Sequence, residues 1–365
     1  MTRAWGAVRL GRMETSAIDR ARTTEFAPDT VYLNTSSCGL LPRGTVDAVT
    51  TLAEENALGR RPGGGDHGTV AAARDGFARF TGTDAGRVAV GGSVAGQVAL
   101  VAASLPAGSE VLAPEGEFSS VVSPFAQRGN LKMRYVPLAG LADAVRPDTA
   151  LVAFSAVQSS DGRVAGLEAV REAAAAYGAR TLLDASQAAG WLPLDTGAYD
   201  YTVTGAFKFL LCPRGTTFLT VTEEAQETLP ALHAGLLSAQ DPDAALYGPV
   251  QRLADEARRF DEPVSFLSYA GAAHSLALLD GIGVDTLHAH ATGLAARFRA
   301  GLAGLGHEAV PGDSAVVAVP GLGSRQPVLA RAGIVVSQRA GNLRAAFHLY
   351  NTEADVDRAL DVLSG

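Results

Sequence analysis

Short apolar runs alternate with segments of helical period along the first two-thirds of the chain. "RVAVGG" (residues 87–92) predicts a strand and "SVAGQVALVAASL" (93–105) a helix after it. "EVLAP" (110–114) predicts a second strand, followed by the helical "FSSVVSPFAQRG" (118–129). "LKMRYVPL", "ALVAFSAV", "RTLLDAS", "YDYTVTGAF" and "GTTFLTV" complete the strand-like set. "GLEAVREAAAAYGA" (166–179) is helical, with Gly178 as its stop. Short strands of this kind separated by helices predict an α/β fold built on a mainly parallel, doubly wound sheet. Ligands of such sheets bind at the carboxyl ends of the strands.

The pattern changes near Arg259. "SYAGAAHSLALLDGIGVDTLHAHATGLAARFRAGLAGLG" (268–306) is long and helical, with a break expected near Gly281. Short strands are expected around Ala315–Val319 and Gly333–Val336, then "LRAAFHLY" and a last helix in "TEADVDRALDVLSG". The expected division is an N-terminal arm at 1–30, a large domain at 31–258 and a small α+β domain at 259–365. Within the arm, residues 1 to about 12 are expected to be mobile, and Met13 offers an alternative start. The Gly-rich "RRPGGGDHG" (60–68) lacks the Gly-Lys-Ser/Thr ending of a phosphate loop and reads as a flexible connection.

Composition narrows the functional classes. Hydrophobic residues make up 47% of the 365 and charged ones 19%, enough to build a substantial core. A net charge of −8 gives no footprint for nucleic acid or an anionic membrane. No apolar run reaches the roughly 18 residues of a membrane span. Cys38 and Cys212 form no disulfide framework or metal-type spacing, which suits a reducing cytoplasm.

Lysine usage raises the chemical question. Only Lys132 and Lys208 occur, against 28 arginines. Lys208 nevertheless lies in "GAFKFLL", among apolar neighbours. An amine held in such a site loses solvation in its charged form, so its pKa falls and it becomes a usable nucleophile, as a Schiff base with an aldehyde cofactor requires. A surface lysine reaching past apolar neighbours is the alternative. In "LLDASQAAG", Asp184 closes an apolar strand, where a carboxylate needs a positive partner such as a pyridinium nitrogen. Gln187, three residues on, can donate to a phenolate oxygen; the alternative is a helix cap at Asp184 answered by Gln187. "VGGSVAGQVAL" offers bare N–H groups at a helix start for a phosphate. In "EGEFSS", Phe118 can cover a planar ring or fill the core.

Together, Asp-x-x-Gln, then Gly-Ala-Phe-Lys some two dozen residues later, then "CPRG", resemble the class V aminotransferase family of pyridoxal-phosphate (PLP) enzymes, which includes cysteine desulfurases and isopenicillin N epimerase-like proteins. The resemblance runs from "VYLNTSSCGLLP" to "NTEADVDRAL". It implies fold type I, and a homodimer with active sites at the interface. It implies that Lys208 binds PLP covalently and shuttles the Cα proton, and that Asp184 keeps the pyridine nitrogen protonated. It assigns Gln187 and Gln158 to the ring hydroxyl, Phe118 to the ring face, and Ser93, Val94 and Ala95 to the phosphate. Asn34 and Arg344 are assigned to the substrate, Arg344 as a clamp on its carboxylate. Asn34 lies in "VYLNTSSCGLLP" and Arg344 in "NLRAAFHLYNTE".

Departures from the family pattern qualify these assignments. Gly205, Ala206 and Phe207 precede the lysine where desulfurases carry phosphate ligands, so a second subunit near Ser265 is expected to help. "AGIVVSQRAGNLR" contains no cysteine, which argues against a cysteine desulfurase and leaves Cys38 as the one substitute. The expected reaction on an amino acid is transamination or β-elimination including C–S cleavage, with epimerisation as an alternative. PLP binding without turnover is a further alternative. A nucleotide-binding protein using residues 90–96 is disfavoured, because no acidic ribose contact stands at a suitable spacing.

Overall fold

The computed structural model describes residues 17–61 and 67–365. The expected mobile start, the alternative Met13 start and most of the Gly-rich connection lie outside these residues. A seven-stranded sheet organises the large domain, with strands β2 (Val88–Gly91), β3 (Glu110–Pro114), β4 (Lys132–Val136), β5 (Thr149–Ser155), β6 (Arg180–Asp184), β7 (Tyr201–Gly205) and β8 (Thr217–Val221). Their order is β2-β8-β7-β6-β5-β3-β4. The run β4-β3-β5-β6-β7 is parallel, while β8 runs antiparallel to both β7 and β2.

The central strands are apolar on both faces because both faces are covered. Leu151, Ala153 and Leu182 point to one side, with Val98 and Val101 of helix Val94–Ser104 and Phe125 of helix Ser119–Gln127. Val152, Phe154 and Leu183 point to the other, with Val170 and Ala174 of helix Leu167–Tyr177. Period-two alternation thus feeds two separate cores. Gly178 ends that last helix at φ +67°, as expected. At the sheet's edge, β4 begins with Lys132, which is exposed to solvent.

The smaller sheet is antiparallel: β11 (Ser337–Arg339), β12 (Asn342–Ala346) and β9 (Val316–Val319). Leu343, Ala345 and Phe347 face its core, so the alternation read from "LRAAFHLY" is the one that folds. The N-terminal strand β1 (Val31–Tyr32) pairs in parallel with β10 (Ile334–Val335), tying the start of the chain to this sheet. Helix Phe266–Ile282, in the segment expected to begin the small domain, contributes Tyr269, Ala272, Leu276 and Leu279 to a core that also holds Phe77 and Phe218 of the large domain. The helical break falls at Gly283, two residues past the expected place, because Gly283 carries φ +85° while Gly281 stays helical. Among the described residues no helix is long and apolar enough to cross a membrane.

Candidate functional site

Four chain segments meet at the carboxyl ends of the parallel strands. Asp184 is the last residue of β6, and Ser155, the last of β5, is its direct neighbour across the ladder. Glu117 and Phe118 follow β3, and Lys208 follows β7. Lys208 is buried, with its Nζ 5.2 Å from the centre of the Phe118 ring and 5.7 Å from that of Phe207. Burial pushes its amine down to about 8; the Asp184 carboxylate opposes this, and the fields of Arg344, Arg214 and Arg339 add to it. The reading of Lys208 as a surface lysine is therefore excluded.

The turn that carries Lys208 is clamped on several sides. Leu211 sits at φ +56°, unusual for a residue with a side chain, and its N–H donates to the Lys208 carbonyl at 3.2 Å. Gly39 lies so close that a Cβ there would stand 2.2 Å from the same oxygen. Gly190, at φ +115°, leaves the same narrow space beside the Phe209 carbonyl. His348 holds that carbonyl at 2.8 Å through Nε2, and its Nδ1 accepts the Leu349 N–H, which fixes Nε2 as the protonated nitrogen.

Burial pushes the His348 imidazole down to about 4, below the ordinary histidine value of 6.5. A base depressed in this way contributes stability that is complete above pH 6.5 and is lost as pH falls towards 4. We expect His348→Gln to remove about 3 kcal/mol of the wild-type protein's loss of stability over that interval. Urea titrations of both proteins at pH 7 and pH 4.5 measure the difference. Equal acid sensitivity would show that His348 is not a neutral anchor of the lysine turn.

Asp184 is buried, and burial raises its pKa, against the Lys208 charge and a 2.7 Å hydrogen bond donated by the Ser186 N–H. Ser186 in turn accepts the Gly205 N–H at 2.7 Å, joining β6 to the lysine turn. Asp184 does not cap a regular helix, so the capping alternative falls away. A carboxylate whose burial is so weakly offset fits a cationic ring nitrogen. Gln158 donates through Nε2 to Glu117 at 2.9 Å, which leaves one N–H for a ligand. Gln187 departs from the expectation of a donor. Its two amide hydrogens go to the Ser36 carbonyl (2.9 Å) and Ser159 Oγ (3.1 Å), leaving Oε1 buried without a partner. Asn34 Oδ1 and Ser36 Oγ are likewise buried without hydrogen bonds. Three orphaned polar atoms on these loops match a polar ligand.

At the start of helix Val94–Ser104, Ser93 Oγ accepts the Gly96 N–H at 3.0 Å. The N–H groups of Val94 and Ala95 have no acceptor within the helix and are available to a phosphate. Glu262 stands at the same helix end, accepting the Gly92 N–H at 2.8 Å, with His233 Nδ1 3.1 Å from its other oxygen.

Arg344 is buried in a ring of serines. It donates to Ser337 Oγ at 3.1 Å, to Ser159 Oγ at 3.2 Å and to the Ser159 carbonyl, and to Ser37 Oγ at 2.9 Å. The acidic residues that open the last helix are engaged elsewhere: Glu353 pairs with Arg297, and Asp355 hydrogen-bonds Thr352. Burial pushes the Arg344 guanidinium down to about 10, with the Arg339 charge adding to it.

Sequence reasoning missed Glu117. This buried carboxylate accepts from Ser155 N, Ser155 Oγ, Gln158 Nε2 and the Phe118 N–H, at 2.6–2.9 Å. The argument applied to Asp184, a carboxylate just beyond a buried strand, would have found it in "EGEFSS".

The model of the class V aminotransferase family matches residues 31–359. An uncharacterized aminotransferase, YcbU, of Bacillus subtilis is 26% identical over 80% of this chain and 82% of its own length. The isopenicillin N epimerase of Amycolatopsis lactamdurans is 32% identical over 54% of this chain and 55% of its own. Among solved structures, a cysteine desulfurase from Thermococcus onnurineus superposes with a TM-score of 0.81 at 20% identity, over 95% of this chain and 97% of its own. A complex of the cystine C-S lyase C-DES with cysteine persulfide gives 0.82 at 22% identity, over 92% of this chain and 97% of its own. A C-DES variant in the same fold carries glycine covalently linked to PLP. These likenesses establish the type I fold of PLP-dependent enzymes. With a lysine, an aspartate and the Phe118 ring brought together at the strand ends, and a family match over most of its length, the chain belongs to the class V aminotransferases and is a PLP-dependent enzyme of that family.

Proposed function

We propose that the protein acts on an α-amino acid, by transamination or by β-elimination including C–S cleavage. The observation that carries this reading is the state of Arg344 on strand β12: a guanidinium almost wholly buried, donating only to serine groups, whose charge acts on Lys208. A buried charge without a counterion is costly, and a substrate carboxylate displacing the Ser37 and Ser159 hydroxyls would answer the guanidinium fork in two hydrogen bonds. Asn34, whose Oδ1 lacks a partner and which bridges to Ala346 at the end of the same strand, is assigned the substrate's amine in this reading.

Pyridoxal phosphate supplies an aldehyde for the substrate amine and an electron-withdrawing ring. Asp184 holds a proton-bearing ring nitrogen by its charge. Phe118 would cover the ring, and Gln158 and Gln187 would meet its hydroxyl, Gln158 as donor and Gln187 as acceptor. Val94 and Ala95 would donate backbone N–H groups to the phosphate, with Ser93 closing the helix end. Lys208 Nζ, its basicity lowered to about 8, takes the proton from the substrate Cα. In this reading the protein is a homodimer of the cytoplasm, since Gly205, Ala206 and Phe207 offer the phosphate no polar side chain and neither cysteine is in a disulfide.

The test is a panel of L-amino acids and S-substituted cysteines, followed by cofactor absorbance and by assays for keto acid, ammonia and thiol. Keto acid with amino transfer, or ammonia with thiol, would support the two named reactions. Inversion at Cα alone would favour epimerisation. A protein persulfide formed from L-cysteine and abolished by Cys38→Ser would overturn the reading and make the protein a desulfurase.

A further inference from the structure

A second guanidinium stands beside Arg344. Ser37 Oγ accepts from Arg344 at 2.9 Å and from Arg339 at 3.2 Å, so the two donor nitrogens lie within about 6 Å of each other. Among the described residues neither arginine forms an ion pair, although the chain as a whole carries a net charge of −8. Arg339 otherwise donates only to the carbonyl of its neighbour Gln338, at 2.8 Å.

The hairpin is shaped to hold this pair. Ser337 faces Arg344 across the ladder and Arg339 faces Asn342, so all four side chains share one face. The connection is two residues long, and both Ala340 (φ +47°) and Gly341 (φ +81°) are left-handed. Such a turn suits a tight hairpin but disfavours alanine at its first position. Strain of this kind persists where surrounding structure holds it. Here Gly323 packs under the turn so closely that a Cβ would stand 2.6 Å from the Gly341 carbonyl.

Two unpaired cations this close repel each other, and one α-carboxylate answers only one of them. We propose that Arg339 is a specificity-determining residue that selects amino acids bearing a second anionic group on the side chain, with Arg344 taking the α-carboxylate. The inference rests on the amino-acid reading above. The spacing suits short acidic side chains: the carboxyl carbons of aspartate or glutamate are three or four bonds of about 1.5 Å apart. Arg339 is exposed where Arg344 is buried, so the substrate's side chain reaches towards solvent while its α-carboxylate sits inside.

The test uses the PLP-loaded protein and two matched pairs of ligands: L-glutamate against L-glutamine, and S-carboxymethyl-L-cysteine against S-carbamoylmethyl-L-cysteine. Dissociation constants come from calorimetry and from the change in cofactor absorbance. The wild-type protein is expected to bind each acid at least about tenfold more tightly than its amide at low salt, with the preference shrinking as salt rises. Arg339→Gln should erase the preference while leaving the amides within about twofold of wild type. Equal binding of acid and amide by the wild-type protein would overturn the inference and leave the amino-acid reading standing. So would an Arg339→Gln variant that weakens acid and amide alike, since both arginines would then share one carboxylate. If no ligand of either pair perturbs the protein, the amino-acid reading fails and the inference with it.

Discussion

Lys208→Ala is expected to lower turnover of every amino-acid substrate by at least about a thousandfold, the scale on which a positioned acid–base group contributes. The ε-amine is the sole lysine nitrogen at the strand ends, and burial has already lowered it to about 8, close to the range where it can give and take protons. Among the described residues its neighbours are otherwise engaged: His348 is bonded to the Phe209 carbonyl, Glu117 accepts four hydrogen bonds, Asp184 is kept for the ring nitrogen, and the Phe118 and Phe207 rings have no exchangeable proton. Thermal melting separates this role from a structural one. Removing a desolvated amine should leave the melting temperature unchanged or raise it, because the folded protein no longer holds a buried cation. Borohydride reduction of the wild-type protein and peptide mapping should mark Lys208 and leave Lys132 unmodified. A fully active Lys208→Ala protein, or a label on Lys132, would remove the basis for the site.

Arg344→Lys is expected to cost about a hundredfold in kcat/KM towards carboxylate-bearing substrates, or about 2.7 kcal/mol. The substitution keeps the charge and loses the fork, and with it the two-point hold that directs the Cα–H bond. The corresponding decarboxylated amine should be nearly indifferent to the change. No ion pair of Arg344 to the C-terminal carboxylates competes with this role, since Glu353 is engaged with Arg297 and Asp355 with Thr352. A variant that melts earlier but keeps its kinetics would make Arg344 a packing element of the serine ring.

The local chemistry was legible in the sequence. Asp184 at a strand end, a lysine in an apolar run and Phe118 beyond β3 could be read because each argument needs only a few adjacent residues. The alternation in "LRAAFHLY" gave the right faces for the same reason. What sequence could not show was who meets whom across long separations. Gln187 was expected to donate to a ligand, yet its hydrogens are taken by Ser36 and Ser159, the first of them 151 residues away along the chain. Glu262 reaches the start of helix Val94–Ser104 from 170 residues beyond Gly92. The convergence of Arg339 and Arg344 on Ser37 spans some 300 residues of chain, and periodicity carries no information about it. The break at Gly283 was misplaced because glycine identity alone does not reveal which of two neighbouring glycines takes a positive φ.

The scarcity of lysine makes the site addressable by spectroscopy. Lys132 opens the edge strand β4 exposed to solvent, where a charged side chain guards the edge against pairing with another sheet and arginine serves equally well. A Lys132→Arg protein would retain a single lysine. Grown on isotopically labelled lysine, it would show one ε-carbon resonance belonging to Lys208, with no assignment problem to solve. The pH dependence of that one signal would report the basicity of the amine directly, and its displacement on adding PLP or an amino acid would follow each binding event at the nitrogen where it occurs.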